Sequence, residues 1–113
     1  MQTKSAQSQI VDGQRGGHQQ LRNLEGLTDS DLMLVAAKGV HAAFEVLVRR
    51  YESMVLGFAT RFLEDRELAR EVAQEVFLAL WSERSRFRAG ANFRSYLLTR
   101  TCNRCQLGDP YRQ

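Results

Sequence analysis

The stretch Asp65 to Trp81, DRELAREVAQEVFLALW, constrains the fold of this chain more than any other. Leu68, Val72, Ala73, Val76, Phe77 and Leu80 recur at helical spacing and define one buried stripe. Glu67, Glu71, Gln74 and Glu75 fall on the other side. Asp65 stands where an N-cap belongs, and Glu67 places a carboxylate in the first turn, where it complements the helix dipole. A helix with so wide an apolar stripe must be covered by other elements. On pattern alone, its acidic side reads as a solvated face.

The rest of the chain supplies helices to cover it. Thr28, with Asp31 three residues on, is a capping-box arrangement that opens a helix between Leu27 and Gly39, with Leu32, Val35 and Ala36 inward. Gly39 can take the left-handed conformation that ends it. His41 to Glu64 carries the longest pattern: Phe44, Leu47, Val48, Tyr51, Val55, Phe58, Ala59, Phe62 and Leu63. This is the expected central helix, and Gly57 within it is read as a point of close helix packing. Ser82 to Ala91 lacks a period and reads as a loop, with Phe87 as its one large apolar residue. Asn92 can cap a last helix from Phe93 to about Leu107, with Phe93, Tyr96, Leu97, Leu98, Cys102 and Cys105 on its apolar side and Gly108 and Pro110 stopping it. No strand pattern and no repeat occurs. The expected fold is all-α, a compact bundle of about four helices over residues 27–108. Residues 1–26, rich in Gln, Ser and Gly, are expected to be a flexible tail, and residues 109–113 a short C-terminal end.

Charge divides the chain. Residues 1–83 hold nine Lys and Arg against twelve Asp and Glu, whereas residues 84–113 hold seven Arg against one Asp. Arginine offers phosphate a planar fork and stacks on bases, so an Arg-only end with aromatics in it points to nucleic acid. The two halves thus suggest two different partners. The absence of a long apolar run argues against a membrane span, and the polar start argues against a signal peptide, so a cytoplasmic location is expected. Cys102 and Cys105 form a single C-x-x-C; His18 and His41 stand at no ligand spacing to it, so neither a metal nor another cofactor is expected. On a helix, cysteines three apart more often complete a buried edge.

The central stretch resembles the polymerase-binding helix of region 2 in bacterial sigma factors of the extracytoplasmic-function (ECF) type. The matching residues are Glu71, then Gln74-Glu75-Val76-Phe77, then Leu80-Trp81. The resemblance extends in order and spacing through Asp31-Leu32, Ala36-Ala37, Gly39, Ala43-Phe44-Glu45, Arg50-Tyr51, Phe87, Phe93-Arg94-Ser95-Tyr96-Leu97-Leu98 and Asn103. It implies a non-enzymatic transcription initiation domain with two partners. Asp65, Glu71, Gln74 and Glu75 would dock on the clamp helices of the largest subunit of core RNA polymerase. The loop Arg84 to Ala91 and the last helix would bind and help melt the promoter −10 element on the non-template strand. Phe77 and Trp81 are assigned mainly to the core, with an edge in the polymerase contact as the further expectation. An anti-sigma factor is a further partner that this family type admits.

Trapping bases that have left the stack needs aromatic faces, arginines along the phosphates and a pocket for a flipped base. Arg84, Arg86, Phe87, Arg88, Asn92, Phe93, Arg94, Tyr96, Arg100, Asn103 and Arg104 supply these residue types, and the resemblance places them at the DNA. Aromatics beside a helix start also serve as core, so Phe87, Phe93 and Tyr96 carry both readings. The match departs from the family in Arg100-Thr101-Cys102-Asn103-Arg104, where an apolar run is usual, and in Leu107, where Asp is usual. The second helical domain, region 4, which in such factors reads the −35 element, is not matched; the chain is expected to be either a fragment or a region 2 alone. A second reading is a region 2 remnant that binds polymerase or an anti-sigma factor as a decoy, without DNA activity. An enzyme is disfavoured, since no carboxylate and histidine cluster stands at catalytic spacing.

Overall fold

The computed structural model describes residues 23–88 and 90–108. Among them are four α-helices of nine residues or more and no strand: α1 (Asp29–Ala37), α2 (His41–Leu63), α3 (Arg66–Ser82) and α4 (Phe93–Gly108), with a 3-10 turn at Arg84–Arg86. The all-α expectation holds. No helix among the described residues is long and apolar enough to cross a membrane.

Capping chemistry sets the boundaries. Thr28 Oγ1 accepts from the Asp31 amide at 3.1 Å, Asp65 Oδ1 from Leu68 at 3.0 Å and Asn92 Oδ1 from Ser95 at 2.9 Å, so each expected N-cap satisfies an otherwise unpaired first-turn amide. Gly39 has φ +99°, the left-handed backbone expected after α1. The connection from α2 to α3 is only Glu64 and Asp65. Glu64 takes φ 57° and donates its amide to Thr60 O at 2.8 Å, which closes α2 before Asp65 opens α3.

Helix α2 packs against α1, α3 and α4, and α3 packs against α4. The core is Leu32, Met33 and Ala36 of α1, Ala43, Val46, Leu47, Val55 and Ala59 of α2, Ala69, Val72, Val76 and Leu80 of α3, and Phe93, Leu97 and Cys105 of α4. Four inward positions of α4, Phe93, Leu97, Thr101 and Cys105, run at steps of four. Thr101 is fully buried because its hydroxyl donates to Leu97 O at 2.8 Å, leaving no unpaired polar atom inside.

Two expectations change. Of the tail expected over residues 1–26, residues 1–22 lie outside the described residues, but 23–25 form a helical turn with Leu24 only 8% exposed. Arg50 explains this: its guanidinium donates to the carbonyls of Glu25 at 2.8 Å and Leu27 at 2.9 Å while pairing with Asp29 at 2.8 Å. Gly57 is not a point of close packing, because a Cβ built there meets nothing within 4 Å. The C-terminal end at 109–113, with Pro110, lies outside the described residues.

Candidate docking and nucleic-acid interfaces

The acidic side of α3 has three parts. Asp65 is spent on capping. Glu71 and Gln74 are exposed, and with Glu67 and Leu78 they lie at i, i+4, i+7 and i+11, a single ridge along the helix. Glu75 turns instead toward α4, where Arg104 Nε donates to its carboxylate at 2.6 Å. Glu71, Gln74 and Glu75 thus lie on one exposed side of α3, with Glu75 at its α4 edge, whereas Asp65 stands apart as the cap.

Beside the ridge lies a groove of 560 Å³ between α2 and α3. Phe44, Val48 and Leu56 form its α2 wall, and Ala73, Phe77 and Trp81 its α3 wall; Gln74 and Leu78 stand at the edge. Leu78 is 60% exposed and extends the apolar lining of the groove to its edge. The sequence reading missed it. Phe77-Leu78-Ala79-Leu80-Trp81 is five apolar residues in a row, more than one face of a helix can bury at about 100° per residue, so one of them had to point outward. Phe77 and Trp81, expected mainly in the core, are half-buried and line the groove.

Trp81 is fixed in place from both sides. The His41 ring stacks on it with centroids 4.2 Å apart, and the Arg84 guanidinium lies 3.9 Å from the same centroid, so the two occupy opposite faces. Arg84 also donates to Trp81 O at 2.8 Å, satisfying a carbonyl at the end of α3.

The basic end is built on an aromatic cluster. Phe87 and Phe93 lie 5.9 Å apart, each touches Tyr96, and Phe93 meets Tyr51 of α2. Phe87 is 8% and Phe93 3% exposed. Their rings pack within the core of the free chain, the first of the two readings they carry, and they shape the loop. Tyr96 is half-buried, with Arg100 5.6 Å above its ring. The loop is also tied to α1, where Ser30 Oγ donates to Ala91 O at 3.3 Å.

Around this cluster Arg86, Arg88, Asn92 and Arg94 are exposed, which leaves three cations on the loop and the first turn of α4. The farther candidates form a second group. Arg100, Asn103 and Arg104 line a recess of 430 Å³ with Glu75, Val76, Ala79 and Leu107. Arg100 pairs with Glu83 at 2.8 Å and Arg104 with Glu75, so both are engaged across the seam between α3 and α4. Cys105 is fully buried, and burial, then the neighbouring Cys102, pushes its thiol pKa up, which disfavours the thiolate that metal binding or redox chemistry requires.

The family model for sigma-70 region 2 matches residues 47–106, more than half of the chain. The RNA polymerase sigma-H factor of Pseudomonas aeruginosa is 33% identical over 69 residues, 61% of this chain and 36% of that protein. The ECF RNA polymerase sigma-E factor of Haemophilus influenzae is 33% identical over 73 residues, 65% of this chain and 38% of that protein. The RNA polymerase sigma factor CarQ of Myxococcus xanthus is 34% identical over 65 residues, 58% and 37% of the two chains. The match therefore spans little more than a third of each relative's length. No solved structure matches the chain. By the match over residues 47–106, the chain belongs to the sigma-70 family, of which it carries a region 2, with relatives of the ECF type.

Proposed function

We propose that the chain acts in transcription initiation as a region 2 domain that docks on core RNA polymerase and holds the non-template strand of the −10 element. The observation that carries this reading is the ridge Glu71, Gln74 and Leu78 beside the apolar groove of α2 and α3. An apolar groove edged by Glu52, Arg70 and Gln74, with Glu71 on the ridge beside it, suits an amphipathic helical partner with charged residues along its flank, as the family's clamp-helix contact implies. Arg86, Arg88 and Arg94 follow the phosphates, while Tyr96 is the ring best placed to meet a base.

A second reading has its own support. Phe87 and Phe93 are buried and Arg100 and Arg104 are paired, which favours a decoy that docks without binding DNA.

Retention of a single-stranded −10-like oligonucleotide, with and without core polymerase, separates the two. Phe93→Ala is unsuitable, since emptying that core position costs about 3–5 kcal/mol; Arg88→Glu/Arg94→Glu changes exposed residues instead. The initiation reading expects retention with polymerase and a loss of about tenfold in both this variant and Glu71→Arg. Polymerase binding that Glu71→Arg disrupts, with no oligonucleotide retained at any salt concentration, selects the decoy.

A further inference from the structure

Between α2 and α4 lies another recess, of 430 Å³, which shares no residue with the α2–α3 groove. Met54, Phe58 and Leu98 form its apolar floor, and Arg61, Arg94 and Cys102 stand around it. The floor residues are half-buried, and both arginines are exposed. No carboxylate lines the recess, and neither arginine pairs with one among the described residues. Arg94 is close enough to Tyr51 to act on its phenol, so it stands at the Tyr51 end. Arg61 comes seven residues after Met54 on α2, and Cys102 eight after Arg94 on α4. The two cations are therefore separated along the recess by about 10–12 Å, at 1.5 Å of rise per residue.

We propose that this recess is the docking site of an acidic amphipathic helix, with carboxylates at positions i and i+7 and apolar side chains at i+3 and i+4. Seven residues of a helix rise about 10.5 Å, which matches the spacing of the two arginines. The four positions share one face, so the apolar pair meets Met54, Phe58 and Leu98 while each carboxylate meets a guanidinium. The floor is mainly aliphatic, which suits leucine-like side chains better than a base, whose stacking needs an open aromatic face. The chain's own start does not supply the charge: residues 1–22 carry three Lys and Arg against one Asp. The partner is thus a separate acidic protein. It would cover Arg94 and leave the α2–α3 groove open, so it would compete with DNA and not with polymerase; that consequence alone rests on the initiation reading.

The test uses the native chain without polymerase or DNA, and a fluorescent alanine-based helical peptide with Glu at i and i+7 and Leu at i+3 and i+4. The peptide should bind, less tightly as salt is raised. It should also slow alkylation of Cys102, the thiol that lines the recess, Cys105 being fully buried. Arg61→Gln and Arg94→Gln should each weaken binding about two- to fivefold, and the double variant by about their product, since the sites are far enough apart to act independently. Arg61→Glu should be rescued by Glu→Lys at one of the two peptide positions and not at the other. Equal binding by a peptide with Gln in place of both Glu residues, or an unprotected Cys102, overturns the proposal. So does a native chain that leaves the peptide unbound while it binds anionic lipid vesicles, or self-associates, in a way that Arg61→Glu/Arg94→Glu abolishes; the recess then belongs to a membrane surface or to a second copy. None of these results bears on the initiation reading, which the retention of oligonucleotide with polymerase decides.

Discussion

Asp29 ties α1 to two adjacent residues of α2 through one carboxylate. Arg50 pairs with one of its oxygens at 2.8 Å, and the Tyr51 hydroxyl donates to the other. Burial, then the hydrogen bond to Asp29, raises the Tyr51 phenol above its ordinary value of 10.0, against the opposing pull of Arg94 and Arg50. A raised folded-state pKa means that the neutral phenol is favoured by folding. Its contribution is therefore whole below about pH 10 and is lost as the pH rises through the folded value. Tyr51→Phe should cost about 1 kcal/mol at neutral pH and should decline less steeply than the native chain above about pH 10. Urea unfolding on both sides of that pH checks this, and parallel declines would count against it. Residues such as Thr28, Asp65 and Asn92 were legible because a cap acts within three positions of itself. The Asp29–Tyr51 bond spans 22 residues, and no local rule announces it.

At the scale of the helix, α2 is the longest element, and the core reading was too broad along it. Its 23 residues extend about 35 Å, against about 26 Å for α3. On its last turns Phe58 and Phe62 are half-buried and lie 6.2 Å apart. The small residues Ala43, Ala69 and Thr101 are buried instead, a choice made by the neighbouring helix rather than by their own hydrophobicity. Gly57 sits inside α2 with open space where a side chain would go. Gly57→Ala should therefore stabilise the domain by about 1 kcal/mol and raise Tm by about 4–8 °C. A thermal melt decides it; a lower Tm would mean that something does approach this position closely. Helix existence and order were readable from period and caps. The seam between α3 and α4 was not, because the 29-residue separation of Glu75 and Arg104 depends on how two helices are set against each other.

For the whole molecule, the division of charge along the chain becomes a division of surfaces. The exposed arginines of residues 84–94 gather at the loop and the start of α4, and the acidic ridge of α3 runs beside an apolar groove. Phe87 and Phe93 pack in the core that holds the loop, and the leucine that the pattern placed nowhere stands on the ridge. Leu78 thus tests the docking claim without the folding damage that a core substitution brings, since at 60% exposure it supports little else. The decisive measurement is the affinity of the chain for core RNA polymerase, comparing the native chain with Leu78→Glu and Glu71→Arg. Docking through the ridge predicts a loss of about tenfold or more in each variant, with thermal stability unchanged. Native affinity in both would place the polymerase contact elsewhere and contradict the account.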